Sequence, residues 1–149
     1  MLRFGLLACA ACALAFAEGF SFDIGSPMAA GDFHFKSAAF VFRAHGCAEP
    51  AKAQITASAE GLVKRARQSL PLKVMATSKA GVFAVGHSWP AEGEWVVNLK
   101  GTCARASAGA IVPFGPKGFI RESAKFYSRP ATDAEIETSL KALAQGVSK

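Results

Sequence analysis

Gly81-Val82-Phe83-Ala84-Val85-Gly86-His87-Ser88-Trp89 followed by Pro90-Ala91-Glu92-Gly93 and Glu94-Trp95-Val96-Val97-Asn98-Leu99 is the stretch that decides the fold. Phe83, Val85, His87 and Trp89 share one face by parity, and so do Trp95, Val97 and Leu99. A period of two with a Pro/Gly break between the runs is the pattern of half-buried antiparallel strands. Helical spacing would put neighbours on one face every three or four residues, and this stretch does not show it.

The same rhythm spreads outward. Phe33 and Phe35 flank His34, and Phe40 and Phe42 share a face with Val41 and Arg43 on the other. Ile55, Ala57 and Ala59 alternate with polar neighbours, and Leu70, Leu72 and Val74 alternate with Pro71, Lys73 and Met75. Ser78-Lys79-Ala80-Gly81 and Pro90-Ala91-Glu92-Gly93 each stand between two such runs, which predicts two successive hairpins. Gly115-Pro116-Lys117-Gly118 breaks the chain again, between strands expected near 108–114 and 119–127. There is no internal repeat and no low-complexity linker.

The period changes after Pro130. Thr132-Asp133-Ala134-Glu135 fits a capping box, with the Thr hydroxyl accepting from the backbone and Glu reaching back. Ile136, Leu140, Leu143 and Val147 recur at helical spacing, Glu137 can pair with Lys141, and Gly146 can stop the helix. The result is one amphipathic helix of about three turns. Its apolar face is expected to dock on the strands, the alternative being a partner.

At the other end, Met1-Leu2-Arg3-Phe4 and the uncharged residues 5–17, closing on Ala15-Phe16-Ala17, have the order of a secretory signal peptide. Thirteen apolar residues are too few for a stable span, which takes about twenty. Leu6-Leu7-Ala8-Cys9 shares letters with a lipoprotein box, but the apolar stretch before it is too short. The expected organisation is a leader over 1–17, a β domain over 18–130 and a helix over 131–149. Such a protein is exported, periplasmic or secreted, with no stable membrane span after cleavage.

Charge and cysteines agree with that setting. The chain carries 17 Lys and Arg against 11 Asp and Glu; losing the leader removes only Arg3, leaving 16 against 11, a surplus of five. That favours solubility and weak attraction to anionic surfaces. The densest basic stretch, Lys64-Arg65-Ala66-Arg67, has no interleaved aromatic rings, so it reads as a solvated turn and not as a nucleic-acid groove. Cys9 and Cys12 would leave with the leader, so Cys47 and Cys103 remain as one pair, expected to be a disulfide. Closing so long a loop is worth roughly 4 kcal/mol in the chain-entropy account. The competing reading is a metal site of both thiolates with His45, which lacks a fourth ligand and any Cys-x-x-Cys.

Residues 70–99 carry a family resemblance. Gly81-Val82-Phe83-Ala84-Val85 followed by Trp89-Pro90-Ala91-Glu92-Gly93-Glu94-Trp95-Val96-Val97 is similar to small exported immunoglobulin-like domains of the YtkA and FixH type. In those, a Gly-x-Tyr/Phe strand leads into a Pro-x-x-Gly-x-Trp hairpin. The resemblance implies an all-β, antiparallel immunoglobulin-like sandwich, here of about seven to nine strands with one C-terminal amphipathic helix. FixH-type proteins accompany copper-dependent oxidase assembly, which implies a metal-related setting. This chain departs from them in lacking a full-length membrane anchor and a ligand motif. It also departs from the antibody spacing, since no Trp follows Cys47 until Trp89.

Candidate chemistry is sparse. His87 shares the parity of the apolar set and is expected at the core or its rim, bonded to a backbone carbonyl. A soft copper site could join His45 and His87 with Met75 or Met28, since imidazole and thioether suit that ion. No short His-x-His or Met-x-x-Met supports it, and Cys103-Ala104-Arg105-Ala106-Ser107 excludes a cupredoxin loop. Gly86-His87-Ser88-Trp89-Pro90 imitates a nucleophile elbow, but adjacent strand residues point to opposite faces. Glu92 and Glu94 could suggest paired carboxylates, yet read as exposed turn acids. Trp89 and Trp95 make a platform for a sugar or apolar peptide if outward; their parity favours inward packing. These residues describe a non-enzymatic binding or envelope-associated protein with no assigned cofactor, its partner an unknown protein or envelope component. The alternative is a copper-handling protein.

Overall fold

Phenylalanine on one sheet and alanine on the other set the layer spacing of this molecule. The computed structural model describes residues 19–26 and 37–146. The expected leader, Met28, the 33–35 run with His34, and Val147 lie outside them. The elements are β1 (Ser21–Gly25), β2 (Ala38–His45), β3 (Gln54–Val63), β4 (Ala66–Leu72), β5 (Val74–Ala76), β6 (Val82–Gly86), β7 (Glu94–Cys103), β8 (Ala106–Gly115), β9 (Gly118–Phe119), β10 (Lys125–Tyr127) and α1 (Asp133–Ala144). Every strand pairing is antiparallel.

The small sheet has the order β1-β2-β6-β5 and the large one β10-β8-β7-β3-β4, with β9 pairing β8. Setting the short β9 and β10 aside, this is the immunoglobulin arrangement, four strands facing three with an added edge strand. The small sheet sends Phe22, Ile24, Phe40, Phe42, Phe83 and Val85 inward. Ala57, Ala59, Ala108 and Ala110 of the large sheet face them, so bulky rings meet small side chains. Phe42 stacks on Phe83 at 5.4 Å, and Phe22 meets Phe42 edge-on, also at 5.4 Å. Burying each ring is worth roughly 1.5–3 kcal/mol. These rings fill the centre that a Trp and disulfide occupy in antibody domains.

Cys47 and Cys103 do form a disulfide, their Cα atoms 5.9 Å apart. Cys47 follows β2 and Cys103 ends β7, so the bond clamps the two sheets together at one end.

Three expectations need correction. The turn at 90–93 does not close a hairpin, because β6 belongs to the small sheet and β7 to the large one. Both strands are apolar on both faces (Val82 and Ala84 are buried as well as Phe83 and Val85), so parity alone could not tell crossover from hairpin. The run through Leu70, Leu72 and Val74 is two strands, the chain changing sheet at Lys73. The segment near 119–127 is likewise divided. Ile120 donates its N–H to the Pro113 carbonyl at 2.8 Å, and a 3-10 turn over Arg121–Ser123 separates β9 from β10. Strand β1, with Phe22 and Ile24 inward, is an addition to the sequence reading.

Helix α1 follows the capping box. Glu135 N–H donates to Thr132 Oγ1 at 3.3 Å, and Thr132 N–H donates to Glu135 Oε2 at 2.8 Å. Ile136, Leu140 and Leu143 pack in cis on Val96 and Ile111 across the outer face of the large sheet. The crossing segment 129–131 runs so close over Gly109 that a Cβ there would meet the Arg129 carbonyl. Glu60, 7% exposed, anchors the helix start. It accepts from Ser58 Oγ at 2.6 Å, Ser69 Oγ at 2.9 Å and Arg67 Nη2 at 3.3 Å, while Arg67 also donates to Asp133. Asn98 Oδ1, on β7, and the helix's Ser139 Oγ are buried without hydrogen-bond partners among the described residues. Among the described residues no helix is long and apolar enough to cross a membrane.

Candidate functional site

The end of the sandwich opposite the disulfide carries the loops that leave β6 and enter β7. Both tryptophans of the chain stand there, and both point inward: Trp89 is 8% exposed and Trp95 2%. Trp95 can lie flat because β3 offers Gly61 beneath it, where a Cβ would come within 2.5 Å of the indole. Its Nε1–H donates to the Glu92 carbonyl at 2.8 Å, which pins the ring to the 90–93 turn. Trp89 meets Phe114 edge-on, ring centres 4.9 Å apart.

Over Trp89 lies His87. Strand β6 ends at Gly86, so His87 escapes strand parity, is exposed, and stacks its imidazole on the indole at 3.9 Å with 27° between planes. It therefore sits at the rim through a ring stack and not through the expected carbonyl bond. These rings, with Glu94 and the loops carrying Pro90 and Pro116, wall a cavity of about 550 Å³. That volume is within the usual range for small-molecule sites. Glu94 is half-buried at the first residue of β7, and its carboxylate makes no hydrogen bond or ion pair among the described residues.

A smaller hollow of about 150 Å³ opens on the small sheet beside Asp23, Arg43 and Lys79. Its rim mixes charges of both signs around Val41 and Val82, and nothing converges there as it does around Trp89.

The copper constellation is not assembled. His45 ends β2 with Nε2 3.8 Å from Asp23 Oδ2, near the disulfide. His87 follows Gly86, which pairs with Ala38 at the other end of β2. A strand of this length at about 3.3 Å per residue puts the two histidines roughly 20 Å apart. Met75 sits on the edge strand β5 opposite Ala84. Cys47 and Cys103 are spent on each other, so they cannot ligate as thiolates with His45. Among the described residues, no three or more His, Cys, Asp or Glu side chains gather to hold a metal ion.

The other expected pairs also separate. His87 and Ser88 both lie exposed in a loop and not on opposite sheet faces, with the imidazole committed to Trp89. Glu92 is exposed, 3.8 Å from Lys64 Nζ, whereas Glu94 is half-buried at the start of β7. The basic 64–67 stretch splits, Lys64 and Arg65 forming the turn at φ 49° and 67° and Arg67 bonding Glu60. Sequence reasoning took Glu94 for a turn acid. It belongs instead to β7, where its place before an inward Trp sets it on the opposite face of the strand. No family model, curated protein or solved structure matches the chain.

Proposed function

We propose that this is an exported, non-enzymatic binding protein whose ligand enters the aromatic cavity at the loop end of the sandwich. The observation that carries the reading is the gathering of His87, Trp89, Trp95 and Phe114 around one concave site. Recognition sites are mostly apolar and aromatic with a few polar groups to orient the ligand, and this wall has that composition. Support for export comes from the Cys47–Cys103 disulfide, a bond that persists in oxidising compartments, together with the leader-like residues 1–17. The scaffold suits ligand binding, because the clamp lies at the far end and the loops at this end are free to vary around fixed strands.

A thermal-shift panel of amines, sugars, amino acids, short peptides and copper or zinc salts tests the reading on disulfide-intact protein. Compounds that raise the melting temperature are expected to lose that effect in the His87→Ala variant. Stabilisation that survives this variant, or that only copper or zinc produces, would contradict it.

A further inference from the structure

Resting on the cavity reading above, we infer that the His87–Trp89 stack is a proton-sensitive cover at the cavity mouth, held more tightly when the imidazole is charged. Three observations converge on it. The imidazole lies 3.9 Å from the indole centre with 27° between planes, inside the distance of about 6 Å over which a ring face attracts a cation. Neither ring nitrogen makes a hydrogen bond or ion pair among the described residues, so taking up a proton breaks no bond there. The imidazole is exposed, which lets water solvate the charge, whereas Trp89 beneath it is 8% exposed.

The charged groups on the neighbouring elements leave the imidazole to the indole. Glu92 of the 90–93 turn faces Lys64, 3.8 Å away. Glu94 lies on the face of β7 opposite the inward Trp95. Lys73, whose carbonyl accepts from Gly86 N–H at 3.0 Å, and Lys117, between Pro116 and Gly118, are exposed cations. None of the four is bonded or ion-paired to His87. Phe or Tyr would serve a purely structural stack as well. Histidine adds the change of charge between about pH 5 and 8. Anything that parts the two rings forfeits the cation–ring attraction, so a ligand that draws the imidazole off the indole is held less tightly in acid.

Full-length, disulfide-intact protein is titrated with acrylamide, a small neutral quencher of indole emission, at pH 8 and at pH 5. The quenching constant is expected to be about two- to fivefold lower at pH 5, the ratio that a cation–ring contact at an exposed site supplies. Trp95, 2% exposed, contributes little, and a Trp95→Phe background isolates Trp89 as the reporting ring. His87→Phe keeps a stacked ring that takes no proton, so its quenching is expected to be low and equal at the two pH values. His87→Ala is expected to give high and equal quenching. Asp32→Asn and His34→Gln, which precede β2 in the sequence, and His45→Gln, near the disulfide, are expected to keep the wild-type difference. Equal quenching of the wild type at pH 5 and pH 8, a difference that survives in His87→Phe, or one that vanishes with Asp32, His34 or His45 would overturn the cover. The cavity reading then still stands if His87→Ala abolishes the stabilisation by panel compounds, and stabilisation that survives His87→Ala would overturn both.

Discussion

The imidazole of His87 lies nearly parallel to the indole of Trp89, ring centres 3.9 Å apart, and shields a side chain that is otherwise at the mouth of the cavity. This single stack links the end of β6 to the cavity, because His87 follows the strand's last residue directly. An aromatic pair of this kind contributes about 0.5–1.5 kcal/mol beyond burial. His87→Ala is expected to lower stability by about that amount and to shift Trp emission to longer wavelength as Trp89 meets water. Unchanged emission would show that the ring does not cover Trp89.

The disulfide closes a loop between positions 56 apart in sequence. Cys47→Ser is expected to reduce unfolding free energy by about 4 kcal/mol, since the unfolded chain regains the entropy of that loop. Urea unfolding under non-reducing conditions reads it from the midpoint. A midpoint equal to wild type would show that the clamp does not stabilise the sandwich.

Helix α1 should be acid-sensitive. The Arg129 guanidinium grips Glu135 with two bonds of 2.7 and 2.9 Å, and with the Thr132 backbone holds its carboxyl from an ordinary 4.5 down to about 2. A group whose folded value is depressed stabilises above its unfolded value and loses that contribution as pH falls toward the folded value. Exchange protection of the helix amides is therefore expected to decline between about pH 4.5 and about 2, and Glu135→Gln to remove that dependence. A helix equally protected across this window would contradict the role of the pair.

Ser139 is the weak point of the helix–sheet contact. Its Oγ is buried without a partner among the described residues, as is Asn98 Oδ1 on the sheet below. An unsatisfied buried hydroxyl costs about 1–3 kcal/mol, and Ala is the better helix former. Ser139→Ala is expected to raise stability by about 1 kcal/mol, read as a higher melting temperature. A lower one would reveal a bonded hydroxyl at that position.

Much of this architecture was legible in the chain. The helix could be read from Thr132 to Gly146 because capping and apolar spacing agreed there. The inward tryptophans followed from the parity they share with Val97 and Leu99. The sheet switch at Lys73 was not legible, since Leu72 and Val74 keep one parity while serving different sheets. The 90–93 crossover was hidden for a related reason: helix α1 covers Val96 on the outer face of β7, so that strand no longer alternates with solvent. His87 misled because parity has no meaning one residue past a strand's end. Strand β1 escaped notice with only Phe22 and Ile24 to announce it.

Ligand is held to enter beside the His87–Trp89 stack, between the loops carrying Pro90 and Pro116. Amide chemical-shift mapping of isotope-labelled protein, with the panel compound that most raises its melting temperature, tests this most directly. The shifts are predicted to concentrate on residues 87–95 and 114–118, the loops around the cavity. Shifts concentrated instead around Asp23, Arg43 and Lys79, or along α1, would contradict it.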